Sequence, residues 1–309
     1  MPPVDLTGSS GVSLDSLTIG NALVDVLATV DEGFLVREKI VKGSMNLVDM
    51  SRSKHLHSLV NSRTEMSGGS AANTAYGLAS LGGKAGFIGK ISADRLGESF
   101  ASDLANVGVS FFPGVTCETE DTGRCLIVVT PDGNRTMNTF LGAASLLEAA
   151  DISREAVQSA AVVMLEGYLF DRDAAKEAFR VAAEYAHAAG RKVALTLSDS
   201  FCVDRHRNDF RRLVKSLDYV IGNEHEWSSL YQTDLSSALE QAARDAGVVV
   251  CTRSGDEVIL VRGDEMVTVP VNRVVPVDAT GAGDQFAAGF LFGLATGQPL
   301  ATSGRMGCV

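Results

Sequence analysis

Val277-Asp278-Ala279-Thr280-Gly281-Ala282-Gly283-Asp284 runs straight into Gln285-Phe286-Ala287-Ala288-Gly289-Phe290-Leu291, a glycine-rich turn feeding a helical pattern. Glycines at 281 and 283 let backbone N–H groups approach a ligand, and the helix start adds about half a positive charge, so the junction suits an anion. Asp284 stands at its mouth. A carboxylate there can take a proton from a hydroxyl while the N–H groups hold charge on a phosphoryl group in transfer. The same residues also read as a plain glycine-rich helix start whose Asp satisfies the dipole. The stretch approaches the dinucleotide fingerprint, but that reading needs an acid about 20 residues further on, and no Asp or Glu follows Asp284. A P-loop does not fit either, because Gly83-Lys84 and Gly89-Lys90 precede Ala85 and Ile91 where Ser or Thr is required.

Working outward, three more junctions carry polar residues. Asn223-Glu224-His225-Glu226 follows the run DYVIG, and its Asn and Glu, three apart on one helical face, can either hold a hydrated Mg²⁺ beside phosphates or cap the helix. Ser67-Gly68-Gly69-Ser70-Ala71-Ala72-Asn73 opens another helix and misses the nucleophile-elbow pattern, since Ala72 stands where a glycine is needed. Close approach at Gly68 and Gly69 with Asn73 one turn on suits a polyhydroxyl ligand; tight packing of a small-residue helix on a sheet explains the same residues. Gly20-Asn21-Ala22-Leu23-Val24-Asp25 follows the first strand and reads as a turn or as an amide and a carboxylate reaching toward vicinal hydroxyls.

Between these junctions, short β-prone runs (Leu17 to Gly20, AGFIGKI, VVML, KVALTL, DYVIGN) alternate with amphipathic stretches at Ser70 to Leu81, Asp94 to Val107, Asp171 to Ala189, Arg205 to Lys215 and Asp284 to Ala295. That alternation predicts one α/β domain over residues 1–309, a mostly parallel sheet with helices on both faces. Two segments, approximately 25–49 and 112–141, break the rhythm. The second contains a hairpin, two β-prone runs about Pro131-Asp132-Gly133-Asn134 between Thr122 and Leu141, and the two are expected to meet as a small β lid beside the strand ends. Gly247 to Val271 reads as an antiparallel edge, and a small-residue helical pattern starts as the sequence ends.

At 309 residues, 45% hydrophobic and 21% charged, the chain has the composition of a folded domain rather than a disordered one. Its net charge of −11 repels phosphate backbones and anionic lipid, so neither nucleic acid nor a membrane is an expected partner. Five cysteines with no C-x-x-C pair suit reduced thiols, the first residues lack a basic start and apolar run, and no stretch reaches the roughly 18 apolar residues of a bilayer span; a cytoplasmic location is expected. The five histidines form no metal pattern, and Trp227 is expected to pack behind its helix.

Taken in order, the Gly-Gly opening with Asn73, the Asn-x-x-Glu at 223–226 and the late D-x-x-GAGD resemble the PfkB family of carbohydrate and nucleoside kinases, and the resemblance covers Gly20 to Ala295. It implies a ribokinase-like three-layer αβα sandwich and phosphoryl transfer from ATP with Mg²⁺, and optionally K⁺. Asp284 would be the catalytic base and Gly281, Ala282 and Gly283 the anion hole, with Thr280 beside it. Asn223 and Glu226 would organise Mg²⁺ and phosphate, and Thr252, Ser254 and Gly255 would line the ATP site. Asn21 and Asp25 have the spacing of the members acting on adenosine, which implies its 5′-hydroxyl as acceptor; a ribose- or fructose-type sugar is the alternative. By the same resemblance Gly69 and Asn73 would help hold the ribose, Arg135 would face the transferred phosphate, Cys125, Met137 and Leu141 would wall the purine, and Tyr168 would lie beside it. A lid of this kind is compatible with a monomer or a homodimer.

Overall fold

Ala160–Glu166 (AAVVMLE) is buried at every position, as a strand covered on both faces must be, and it sits inside the larger of two sheets. The computed structural model describes residues 13–61, 63–274 and 280–308; Val277 to Ala279 of the glycine-rich motif and residues 1–12 lie outside these. The first half of the chain runs β1 (Leu14–Ile19), β2 (Leu23–Thr29), α1 (Glu32–Arg37), β3 (Met45–Leu47), α2 (Met50–Ser58), β4 (Arg63–Gly68), α3 (Ser70–Ser80), β5 (Ala85–Gly89), α4 (Arg95–Asn106), β6 (Ser110–Pro113), β7 (Gly123–Val129) and β8 (Arg135–Phe140). The second half runs α5 (Arg154–Ser159), β9 (Ala160–Glu166), α6 (Asp173–Ala188), β10 (Lys192–Thr196), α7 (Ser200–Leu213), β11 (Tyr219–Asn223), α8 (Glu224–Tyr231), α9 (Leu235–Asp245), β12 (Val248–Arg253), β13 (Asp256–Arg262), β14 (Glu265–Val269), α10 (Ala282–Ala295) and α11 (Leu300–Gly307).

The nine-stranded sheet has the order β14-β13-β12-β11-β10-β9-β1-β5-β6 and is parallel from β12 to β6. Its alternating side chains feed two cores. Val163 and Leu165 of β9 join Phe170, Phe179, Phe210 and Trp227 on one face, while Val162 and Met164 join Phe87, Tyr219 and Phe290 on the other. Each fully buried apolar side chain contributes about 1.5–3 kcal/mol, so both helix layers are held firmly. This is the expected ribokinase-like α/β architecture. One edge differs from its sequence reading. β12 continues the parallel sheet, because α8 and α9 make a crossover before it, and only β13 and β14 run antiparallel.

The smaller sheet has the order β3-β8-β7-β2-β4. Here the segments about 25–49 and 122–141 meet: β2 pairs with β7 and β3 with β8, both in parallel, while β7 and β8 form the hairpin. At its turn Thr130 Oγ1 and the Asn134 N–H donate to Asp132 Oδ1 at 2.7 and 3.2 Å. Two details depart from the sequence reading. Phe112 and Pro113 belong to β6 of the main sheet, and β4, outside both segments, supplies an edge strand. One face of this sheet, with Val24, Val26, Leu126 and Val128, packs into the second core; the alternate residues look toward the main sheet. No helix among the described residues is long and apolar enough to cross a membrane.

Candidate active site

The parallel strands β1, β9, β10, β11 and β12 end together, and the small sheet stands over those ends. Between them lies a cleft of about 460 Å³, where open α/β sheets bind ligands. A second cavity of about 200 Å³ adjoins it and shares Asn21, Leu47, Thr139, Leu141, Tyr168 and Asp171.

The floor is built from two helix starts. Gly281 caps α10 in the left-handed conformation at φ +76°, which suits a residue without Cβ, and no side chain caps this end. The exposed backbone of Ala282 and Gly283 therefore borders the cleft. Gly69 opens α3 at φ +96°, and a Cβ there would lie 2.2 Å from the Asn21 carbonyl oxygen. The two helices meet at Asp284, whose Oδ1 accepts from Ser70 Oγ at 2.6 Å and Oδ2 from Asn73 Nδ2 at 3.0 Å. Burial raises the Asp284 pKa above the ordinary carboxylate range against the pull of these two donors. Asp25 on β2 is pushed up to about 6, first by burial and then by Asp284. Its carboxylate lies where a Cβ of Gly68 would stand, 2.4 Å from that position, so Gly68 clears space for Asp25 and does not itself line the cleft.

On the opposite side, Asn223 and Glu226 form a capping box at the start of α8. Asn223 Oδ1 accepts from the N–H groups of His225 and Glu226, both at 2.9 Å, while Glu226 accepts from the Asn223 N–H at 2.9 Å and Nδ2 at 2.6 Å. Both residues line the cleft, and Glu226 is pushed up to about 7, chiefly by burial. Each Glu226 oxygen accepts one bond within the cap and keeps a lone pair that a metal-bound water can reach. Among the described residues no cluster of three or more His, Cys, Asp or Glu could cage a metal. This set fits Mg²⁺ that keeps its water and is carried by phosphates.

Thr252, Thr280, Gly281, Ala282, Gly283, Asn21, Asp25, Gly69, Asn73, Cys125, Met137, Leu141 and Tyr168 also border the cleft, bringing most of the sequence-derived residues together. Cys125 lies beside Asp25 in the small sheet, and burial pushes its thiol up to about 12, which marks it as an apolar wall residue rather than a nucleophile. Tyr168 donates from its hydroxyl to the Ser198 carbonyl at 3.3 Å. Ser254 and Gly255 sit in the β12–β13 turn away from the lining, and Arg135 opens β8 two residues before Met137, also outside it.

Several lining residues escaped the sequence reading. Met45, Leu47 and Ile127 extend the apolar wall, and Arg205 brings a cation, paired with Asp171. Glu166, Ser198 and Asp199 lie at or just past the ends of β9 and β10. Polar residues at the end of an apolar parallel strand, or within three residues of it, were the signal available for all three.

The pfkB family of carbohydrate kinases matches residues 39–309. The solved adenosine kinase of Sinorhizobium meliloti is 45% identical, with a TM-score of 0.87 covering 96% of this chain and 92% of that one. A probable sugar kinase from Rhizobium etli CFN 42 is 42% identical, with a TM-score of 0.88 over 96% and 91%. The adenosine kinase of Saccharomyces cerevisiae is 26% identical over 315 residues, 94% of this chain and 92% of that protein.

Proposed function

This chain belongs to the pfkB family of carbohydrate kinases, and on that premise we propose that it transfers the γ-phosphoryl of Mg-ATP to the 5′-hydroxyl of adenosine, giving AMP and ADP. The observation that carries the reading is a pair of acids with opposite surroundings. Asp284 is aimed by Ser70 and Asn73 beside an uncapped helix start, whereas Asp25, half-buried in the cleft wall, has no hydrogen-bond donor among the described residues. A carboxylate left in that state suits vicinal hydroxyls, which supply two donors.

Asp284 takes the proton of the 5′-hydroxyl, its raised pKa bringing it nearer the working pH of a general base. The N–H groups of Gly281, Ala282 and Gly283 stabilise charge on the phosphoryl group as it passes, and α10 adds its dipole. Asn21, Asp25 and Gly69 hold the ribose, and Met45, Leu47, Cys125, Ile127, Met137 and Leu141 form an apolar wall suited to a base rather than to a free sugar. Asn223, Thr252 and Thr280 border the phosphate side, where Glu226 would hold Mg²⁺ through water. Bound Mg²⁺ neutralises phosphate charge. The small sheet acts as a lid that excludes water, and Arg135, on the same strand face as Met137, reaches the phosphate when the lid closes.

The test is an ADP-release assay with Mg-ATP against adenosine, inosine, ribose, fructose and 2-keto-3-deoxygluconate, run beside Asp284→Asn. Turnover on adenosine is expected, with kcat reduced about 10²–10⁴-fold in the variant while adenosine still binds. Turnover on a free sugar instead would favour the sugar-kinase reading, which the likeness to the Rhizobium etli protein supports. An Asp284→Asn variant as fast as the parent would remove the base assignment.

A further inference from the structure

Glu166, the last residue of β9, is buried in the floor of the cleft and has no part in the transfer just described. Its Oε2 accepts from the backbone N–H groups of Ala71 and Asn21 at 2.8 and 3.3 Å, and its Oε1 accepts from Asn21 Nδ2 at 2.6 Å. The carboxylate has room because residue 20 is glycine: a Cβ there would lie 2.2 Å from Oε2. One side chain thus ties the end of β9 to the β1–β2 junction and to the start of α3, which carries Ser70 and Asn73.

Asn21 turns its NH₂ toward Glu166 and its Oδ1 away; burial pushes the Glu166 carboxyl up to about 7, and above that pH, where it is ionised, it can only accept and holds this orientation. That Oδ1 is buried and has no partner, on a residue that lines both cavities. Buried acceptors are seldom left so, and a ligand donor is the natural partner. We propose that Glu166 is a positioning residue: it locks the Asn21 amide so that Oδ1 faces the cleft as an acceptor for a substrate hydroxyl. The substrate part of this assignment rests on the function proposed above; the amide orientation does not.

Glu166→Gln keeps the shape and reverses one donor. The backbone N–H groups of Ala71 and Asn21 cannot turn, so the new carbonyl stays with them and the new NH₂ faces Asn21. Asn21 then flips and shows NH₂ to the cleft. Adding Asn21→Asp restores an acceptor on both sides, one oxygen for the glutamine NH₂ and one for the substrate. In the single variant the acceptor KM should rise about 10-fold or more, with the ATP KM within about twofold, and the double variant should recover most of that loss. Asn21→Asp alone, which sets two carboxylates together, should be worse than the double variant. A merely structural role would give no such rescue.

A second readout needs no turnover and, for the parent protein, no variant. Hydrogen exchange of the Asn21 side-chain NH₂, followed by NMR, should be slow in the parent, where Glu166 seals it, and fast in Glu166→Gln. Fast exchange in the parent, unchanged exchange in the variant, or a double variant no better than the product of the singles would overturn the proposal. The expected exchange pattern with no turnover of adenosine would instead retire the adenosine reading and leave the Glu166 role standing.

Discussion

Replacing Asp25 by asparagine should strengthen the fold and weaken the enzyme, and both effects can be sized. The carboxyl is raised from 3.8 to about 6, first by burial and then by Asp284. At 1.36 kcal/mol for each pKa unit, keeping it ionised in the native state costs about 3 kcal/mol once the pH exceeds both values. The sign follows from the upward direction: the stability is intact below about pH 4 and is lost as pH rises through about 6. An amide cannot ionise, so Asp25→Asn should match the parent near pH 4 and exceed it above pH 7 by up to about 3 kcal/mol, or about 5 °C in Tm for a chain of this size. Binding should move the other way. Loss of charge-assisted hydrogen bonds to vicinal hydroxyls, each worth about 1.5–3 kcal/mol, should raise the acceptor KM about 100-fold and leave the ATP KM unchanged. Urea and thermal unfolding across this pH range, with steady-state kinetics at neutral pH, measure both sides. A variant no more stable than the parent at about pH 8, or a gain independent of pH, would refute the burial argument; an unchanged acceptor KM would refute the contact.

Ser70→Ala and Asn73→Ala each take one donor from Asp284, and both bonds hold its proton affinity down against burial. Each should therefore move the acid limb of the kcat/KM profile to higher pH, with kcat down about 10-fold below neutrality; a profile that stays in place would show that these donors do not tune the base. Gly69→Ala meets both the φ of +96° and the Asn21 carbonyl 2.2 Å from the new Cβ, so it should lower stability by at least about 2 kcal/mol. A urea midpoint equal to the parent's would mean that the start of α3 relaxes without cost.

What the sequence disclosed follows from the range over which each feature is determined. The glycine-rich start of α10 and the β7–β8 hairpin are legible because their geometry is local: Gly281 at φ +76° and Gly133 at φ +80° each answer to a turn a few residues long. The edge strand β4, Arg63-Thr-Glu-Met-Ser-Gly68, left no such mark, since an exposed edge needs no apolar alternation and only its backbone bonds to β2 define it. Glu166 showed its place but not its partners. It ends an apolar strand, and its partners Asn21 and Ala71 lie 145 and 95 residues away, so its purpose exists only where β1, β9 and α3 converge. Arg205 and Asp171 stand in the sequence only as the first residues of two helical stretches; the turn before α6 and the first turns of α7 bring them together at the cleft. Asn223 and Glu226 show why the two readings of one motif need not compete: the capping box places a buried carboxylate at a strand end, and the same burial that makes it a cap leaves it short of positive charge. In the function proposed above, a cation arriving with a phosphate ligand would supply what the protein there withholds, and the cap would be the means by which the sequence builds the site.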